Sequence, residues 1–125
     1  MMALTDLDNL EIYRGRKKIW TIDTDLVITG ATIYFAVYET YQAASIISDA
    51  TALIAKSTAS GITITDGAAG TFDLTIAEAD TYGWTLYSDP TNYVYDLKYI
   101  PSGGSDTIAI GRGKFVVYHD VSRIT

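Results

Sequence analysis

The chain has no cysteine and only two prolines in 125 residues. Without cysteine there is no disulfide, no thiol nucleophile and no cysteine-ligated zinc. Long apolar runs are also missing. None approaches the roughly 18 residues that a membrane helix needs, so no membrane insertion is expected. The opening stretch MMALTDLDN is acidic where a secretory signal would be basic. Basic charge is scarce, with nine Lys and Arg against fifteen Asp and Glu and a formal net charge of -6. That balance argues against nucleic acid as a partner, because such binding calls for a basic stripe. Arg14, Arg16, Lys17 and Lys18 form the one basic cluster and read as solvated charge at the start of a strand.

Motifs for catalysis or ligand binding are equally thin. His119 is the single histidine, with no serine or cysteine motif beside it. It reads as a solvated or capping residue next to Asp120. Glu11, Glu39 and Glu78 are the only glutamates, and nothing pairs them as glycosidase acid and base. Asp6, Asp8 and Asn9 lack the glycine and bidentate glutamate of a calcium loop. Asp23 and Asp25 are a weaker cation candidate, with loop carbonyls as the other ligands. Gly111-Arg112-Gly113-Lys114 lacks the spacing and the following Ser or Thr of a phosphate loop. No catalytic, cofactor or metal residue is therefore expected.

What the chain does have is β-pattern and tyrosine, ten of them. Tyrosine suits both strands and contact surfaces. The clearest strand follows Gly30. Ile33, Phe35 and Val37 alternate with Thr32, Tyr34, Ala36 and Tyr38, the first set facing in and the second out. Lys17–Thr24 alternates with Trp20 and Ile22 inward and Ile19, Thr21 and Asp23 outward, the opposite parity staying open. Gly61–Thr65 and Thr71–Ile76 form a hairpin about an Asp66-Gly67-Ala68-Ala69-Gly70 turn, with Phe72, Leu74 and Ile76 inward. Glu78-Ala79-Asp80 predicts one helical turn. Asn92–Ile100 turns Tyr93, Tyr95, Leu97 and Tyr99 to one face. Asp106–Tyr118 is the last strand, with a bulge expected where Gly111 and Gly113 interrupt it. Leu10–Tyr13 and Leu53–Ser57 add short strands. Thr40–Ala52 suits a one- or two-turn helix or a loop.

The sum is seven to eight strands separated by turns, the pattern of an antiparallel sandwich or barrel. The length fits one domain. Residues 1–9 read as an N-terminal arm and residues 10–125 as the β-domain. Asp89, Tyr93 and Tyr95 are spaced like the Asp, corner Tyr and Cys of immunoglobulin domains, with Tyr95 in the cysteine's place.

Three blocks together carry a family resemblance. They are IYRGRKKIWTI (12–22), ITGATIYFAVYE (28–39), and the pair NYVYDLKY and GRGKFVVYHDVSR running to Arg123. GITITDGAAGTFDLTIAEADT (61–81) lies between them. In order and spacing the chain resembles the N-terminal domain of the upper baseplate protein of siphophages of Gram-positive hosts. The resemblance implies an all-β, immunoglobulin-like sandwich that attaches peripheral fibres or receptor-binding parts to a virion core. It implies a non-enzymatic virion protein, assembled in the bacterial host cytoplasm. Its partners would be other phage virion proteins and further copies of itself. Family members continue into a helix, coiled coil or fibre past the segment matching Val121-Ser122-Arg123, whereas this chain ends at Thr125. A head decoration role, or one at a neck or tail joint, stays open, as does a carbohydrate-binding module reading a host glycan. The expected contact residues are Met2, Leu4 and Leu7 of the arm and Tyr82, Trp84 and Tyr87 of the loop before the Asn92 strand.

Overall fold

Alternation decides which side chains meet. A computed structural model describes residues 9–39, 52–84, 86, 88 and 90–119, and the backbone of residues 2–3. Within them lie nine strands: β1 (Met2–Ala3), β2 (Leu10–Tyr13), β3 (Lys18–Asp23), β4 (Thr32–Tyr38), β5 (Ile54–Ser57), β6 (Ile62–Asp66), β7 (Thr71–Ile76), β8 (Thr91–Ile100) and β9 (Ile108–Tyr118). One short helix, α1 (Glu78–Tyr82), follows β7. The chain is all-β, in two packed sheets. One has strand order β1-β3-β7-β6 and the other β2-β9-β8-β4-β5.

Most pairings are antiparallel, as expected, but two are not. β1 runs parallel to β3, with Met2 opposite Ile22 and Ala3 opposite Asp23. β2 runs parallel to β9, from Leu10 opposite Phe115 to Tyr13 opposite Tyr118. The segment read as an arm therefore begins with a strand of one sheet. The chain then crosses to the other sheet at β2. Leu4 and Leu7 lie outside the described residues, as does the helix considered for Thr40–Ala52.

The core forms where the inward faces meet. Ile33, Phe35 and Val37 of β4, Trp20 and Ile22 of β3, and Phe72, Leu74 and Ile76 of β7 are buried. So are Tyr93, Tyr95, Leu97 and Tyr99 of β8, and Phe115 and Val117 of β9. Four rings form a chain through this core. Trp20 meets Phe115 edge-on across the two sheets at 6.2 Å, Phe115 meets Phe35 at 6.2 Å, and Phe35 meets Tyr95 at 5.7 Å between ring centres. Such pairs add to simple area burial.

Two positions depart from the alternation. Tyr38, expected to face solvent, is 2% exposed, and Val116 on the same outer face is 5% exposed. Both sit opposite outward residues, Val94 and Asn92 respectively. Alternation gives a side chain's direction but not what lies over the sheet. The expected break in the last strand is present. Leu97 pairs with Gly111 and Lys98 with Ala109, so Ile110 is the extra residue of a bulge. A second shift, between Ile64 and Asp66, leaves Thr65 as the extra residue of β6.

A strap closes one side of the stack. Lys56 of β5 reaches Asp80 of α1, with Nζ 2.9 Å and 3.1 Å from the two carboxylate oxygens. The same carboxylate accepts the Ala77 N–H at 2.7 Å and so caps the helix start. The short helix is thus tied to the five-stranded sheet by one side chain.

Candidate functional site

The two ends of the stack carry the exposed chemistry. At one end the Arg14–Lys17 turn meets α1 and the close of β9. Gly15 N–H donates to the Thr81 hydroxyl at 2.8 Å. The Arg14 side chain donates to the Trp84 carbonyl at 3.0 Å, and its backbone N–H donates to the Tyr118 carbonyl at 2.9 Å. Thr81 is fully buried, and its side chain is what locks the turn to the helix. On this frame stand Tyr82, 77% exposed, and Tyr13, 53% exposed and 5.5 Å from the Tyr118 ring. Arg16, Lys17 and Lys18 project beside them, with Lys18 Nζ over the Trp20 ring at 5.6 Å.

At the other end three connections pack together. Thr24 N–H donates to the Gly70 carbonyl at 2.9 Å, and Ile28 N–H to the Gly67 carbonyl at 2.8 Å. The Thr24 hydroxyl adds a second bond to the Gly70 carbonyl at 2.9 Å. These join the 24–31 connection to the 66–70 turn. Gly30 lies against Ser102 of the 101–107 loop, close enough that a Cβ would sit 3.0 Å from its hydroxyl. Asp25, Asp66 and Asp106 are exposed on the three connections, and Asp23 closes β3 just below them. Val27 stands among them 71% exposed.

The expected contact residues divide. Tyr82 and Trp84 are two residues apart, yet Tyr82 faces out while Trp84 turns in and packs on Tyr93 at 4.8 Å between ring centres. They do not share a flat platform of the kind a sugar ring stacks on. Tyr87, Leu4 and Leu7 lie outside the described residues, and Met2 is placed by its backbone alone. Asp89 is likewise outside them.

The remaining candidates fall as follows. Asp23 and Asp25 form a local turn, with the Asp23 carboxylate accepting the Asp25 N–H at 3.0 Å. Among the described residues no cluster of three or more His, Asp or Glu side chains could hold a metal ion. Gly111–Lys114 lies within β9 rather than before a helix. His119 is half-buried just past that strand. Glu11 accepts a hydrogen bond from the Tyr118 hydroxyl at 2.9 Å, while Glu78 sits in the first turn of α1.

Sequence reasoning missed Thr81 and the far-end acidic group. Nothing local distinguishes Thr81 from its neighbours, because its role depends on a turn 66 residues away. The four aspartates were visible in the sequence, but their placement at one end depends on three separate connections. Comparison with protein-family models and with curated proteins finds no match to this chain.

Proposed function

We propose that the chain is a non-enzymatic structural protein of a bacteriophage particle, with an immunoglobulin-like fold and a tail, baseplate or fibre adaptor role. Strand order supports the fold half of the reading. β3-β7-β6 corresponds to strands B-E-D of an immunoglobulin sandwich, and β9-β8-β4 to G-F-C with β5 added at the edge. The parallel pairing of β1 with β3 departs from that pattern. Tyr95, inward on β8 two residues after Tyr93, takes the cysteine's place. The four-ring chain from Trp20 to Tyr95 then does the cross-sheet work of the missing disulfide.

The role half rests on the resemblance of the blocks at 12–22, 28–39, 61–81 and 92–123. Much of their length falls on β2, β3, β4, β6, β7, β8 and β9. On this reading the rigid two-sheet stack is a spacer. Its ends and loops bury against other virion proteins and against copies of itself, and it is carried in the virion after assembly in the host cytoplasm.

The test is to locate the chain in purified particles with a gold-labelled antibody raised against the recombinant protein. Label at the tail tip or baseplate supports the adaptor role. Label on the head moves the role to capsid decoration. Particles made in a host expressing the gene but carrying no copies overturn the virion reading.

A further inference from the structure

The two ends differ in sign. Residues 14–18 hold four basic side chains in five positions and no acidic one. The connections at 23–31, 66–70 and 100–107 hold Asp23, Asp25, Asp66 and Asp106 and no basic one. β3 links the two groups. Lys18 at its start pairs with Ile76, and Asp23 at its close pairs with Thr71. Five steps of about 3.3 Å put the two groups roughly 17 Å apart along that strand alone. The connections beyond each end of the strand lengthen the separation.

Each end also carries exposed apolar or aromatic side chains. Tyr82 and Tyr13 stand at the basic end, Val27 and Leu26 at the acidic one. Tyrosine with arginine is the composition of interface anchors, and a ring of charge about an apolar centre is the usual interface plan. Glu78 and Glu11, the latter bonded to the Tyr118 hydroxyl, are acidic side chains exposed at the basic end, and Glu39 is exposed just past the close of β4 toward the same end. Asp80 there is engaged by Lys56. Lys98, half-buried beside Tyr34 on β4, is the basic side chain nearest the acidic end. Arg14, Arg16, Lys17 and Lys18 still outnumber the three glutamates, and Lys98 does not reverse the sign of the other end.

We infer that copies of this chain associate head to tail, the acidic end of one seated on the basic, tyrosine-bearing end of the next. The occupant of each end is a second copy, because the two ends carry opposite excess charge and each adds exposed apolar surface for the other to cover. A contact between unlike ends is heterologous, so it continues into rings or columns rather than stopping at a dimer. The overall charge of -6 does not oppose this at moderate salt. Charge farther than about 10 Å away is screened at 0.1 M salt, while pairs in contact are not. The inference is independent of the phage reading.

The test is sedimentation equilibrium of the full chain up to about 1 mM, suited to a small and weak contact. At 0.1 M salt the average mass should rise past that of a dimer, and 1 M salt should reverse the rise. Lys17→Glu/Lys18→Glu should weaken association about tenfold or more, and so should Asp66→Lys/Asp106→Lys. An equal mixture of the two variants should restore association to within about threefold of the parent, because each unlike pair of ends is again opposite in sign. A chain that stays monomeric overturns the inference. So does association that stops at a dimer, or a mixture no better than either variant when both melt like the parent. Should a reversed variant fail to fold, Tyr82→Ser and Val27→Ser decide the matter. Each changes one exposed side chain at one end and should weaken association without moving the melting temperature, and no change in association with either overturns the proposal.

Discussion

Replacing Gly70 and Gly103 by alanine, one at a time, separates backbone conformation from close packing. Both residues have a positive φ, +84° at Gly70 and +76° at Gly103. Alanine in that region costs about 1–2 kcal/mol, offset by about 0.4–1 kcal/mol through a less flexible unfolded chain. That net cost is shared. The surroundings are not. A Cβ at Gly103 meets nothing within 4 Å. A Cβ at Gly70 runs into the Leu26 carbonyl and backbone nitrogen and the Thr24 hydroxyl. The Thr24 hydroxyl and the Leu26 nitrogen cannot give way freely. The Thr24 hydroxyl is bound to the Gly70 carbonyl, and it also accepts the Leu26 N–H at 3.2 Å. Forcing them apart adds an overpacking cost of about 1–3 kcal/mol, and each hydrogen bond lost adds about 1 kcal/mol. Gly103→Ala should therefore cost no more than about 1.6 kcal/mol, and Gly70→Ala at least about 2 kcal/mol more. Urea denaturation with a common slope measures both. Losses within about 0.5 kcal/mol of each other would refute the claim that the 24–31 connection is seated on the 66–70 turn.

Phe35→Ala should cost about 3–5 kcal/mol, since the ring is 1% exposed and touches two others; a loss below about 1 kcal/mol by the same denaturation assay would show that β4 is not central. Thr81→Val keeps the shape but leaves the Gly15 N–H without its acceptor, so about 1–3 kcal/mol should be lost, and no loss would mean that water replaces the hydroxyl. A double-mutant cycle of Lys56→Met with Asp80→Ala should give a coupling of about 1 kcal/mol, with Asp80→Ala alone costing more because it also removes a helix cap. His119→Ala should leave assembly and infectivity largely unchanged; a selective, fold-preserving loss of a measured catalytic rate in that variant would sink the structural reading.

The core was legible in the sequence because strand periodicity is a local signal. Ile33, Phe35 and Val37 announce one face of β4 without help from any other segment. The same holds for Phe72, Leu74 and Ile76 on β7, and the hairpin turn between β6 and β7 was carried by Asp66 and Gly70. Parallel pairing was not legible. β2 finds β9 only across more than 90 residues, and nothing in LEIY names its partner. The inward turn of Trp84 was hidden for a similar reason. Its position depends on Tyr93 and on the Arg14 side chain that holds its carbonyl, one on a later strand and one on an early turn. Tyr38 shows the limit of alternation. Its direction was read correctly, but its burial depends on what covers the outer face.

The ways in which the sheet edges are finished bear on where contacts form. Exposed edges invite strand addition unless something blocks them. β5 is an edge of only four residues, and its Lys56 is drawn back toward α1. β6 is an edge with a bulge at Thr65. β9 pairs with β2 only over Phe115–Tyr118, which leaves its first part without a strand on that side among the described residues. That part holds the Ile110 bulge and the charges of Arg112 and Lys114. β3 carries β1 over Ile22 and Asp23, and its remaining edge begins at Lys18. Short length, bulges and lysine are the devices that discourage edge-to-edge pairing. Each of these four edges has at least one. The two ends, by contrast, leave tyrosine and valine exposed beside charge of opposite excess sign. A stack finished in this way directs association through its ends rather than across its edges.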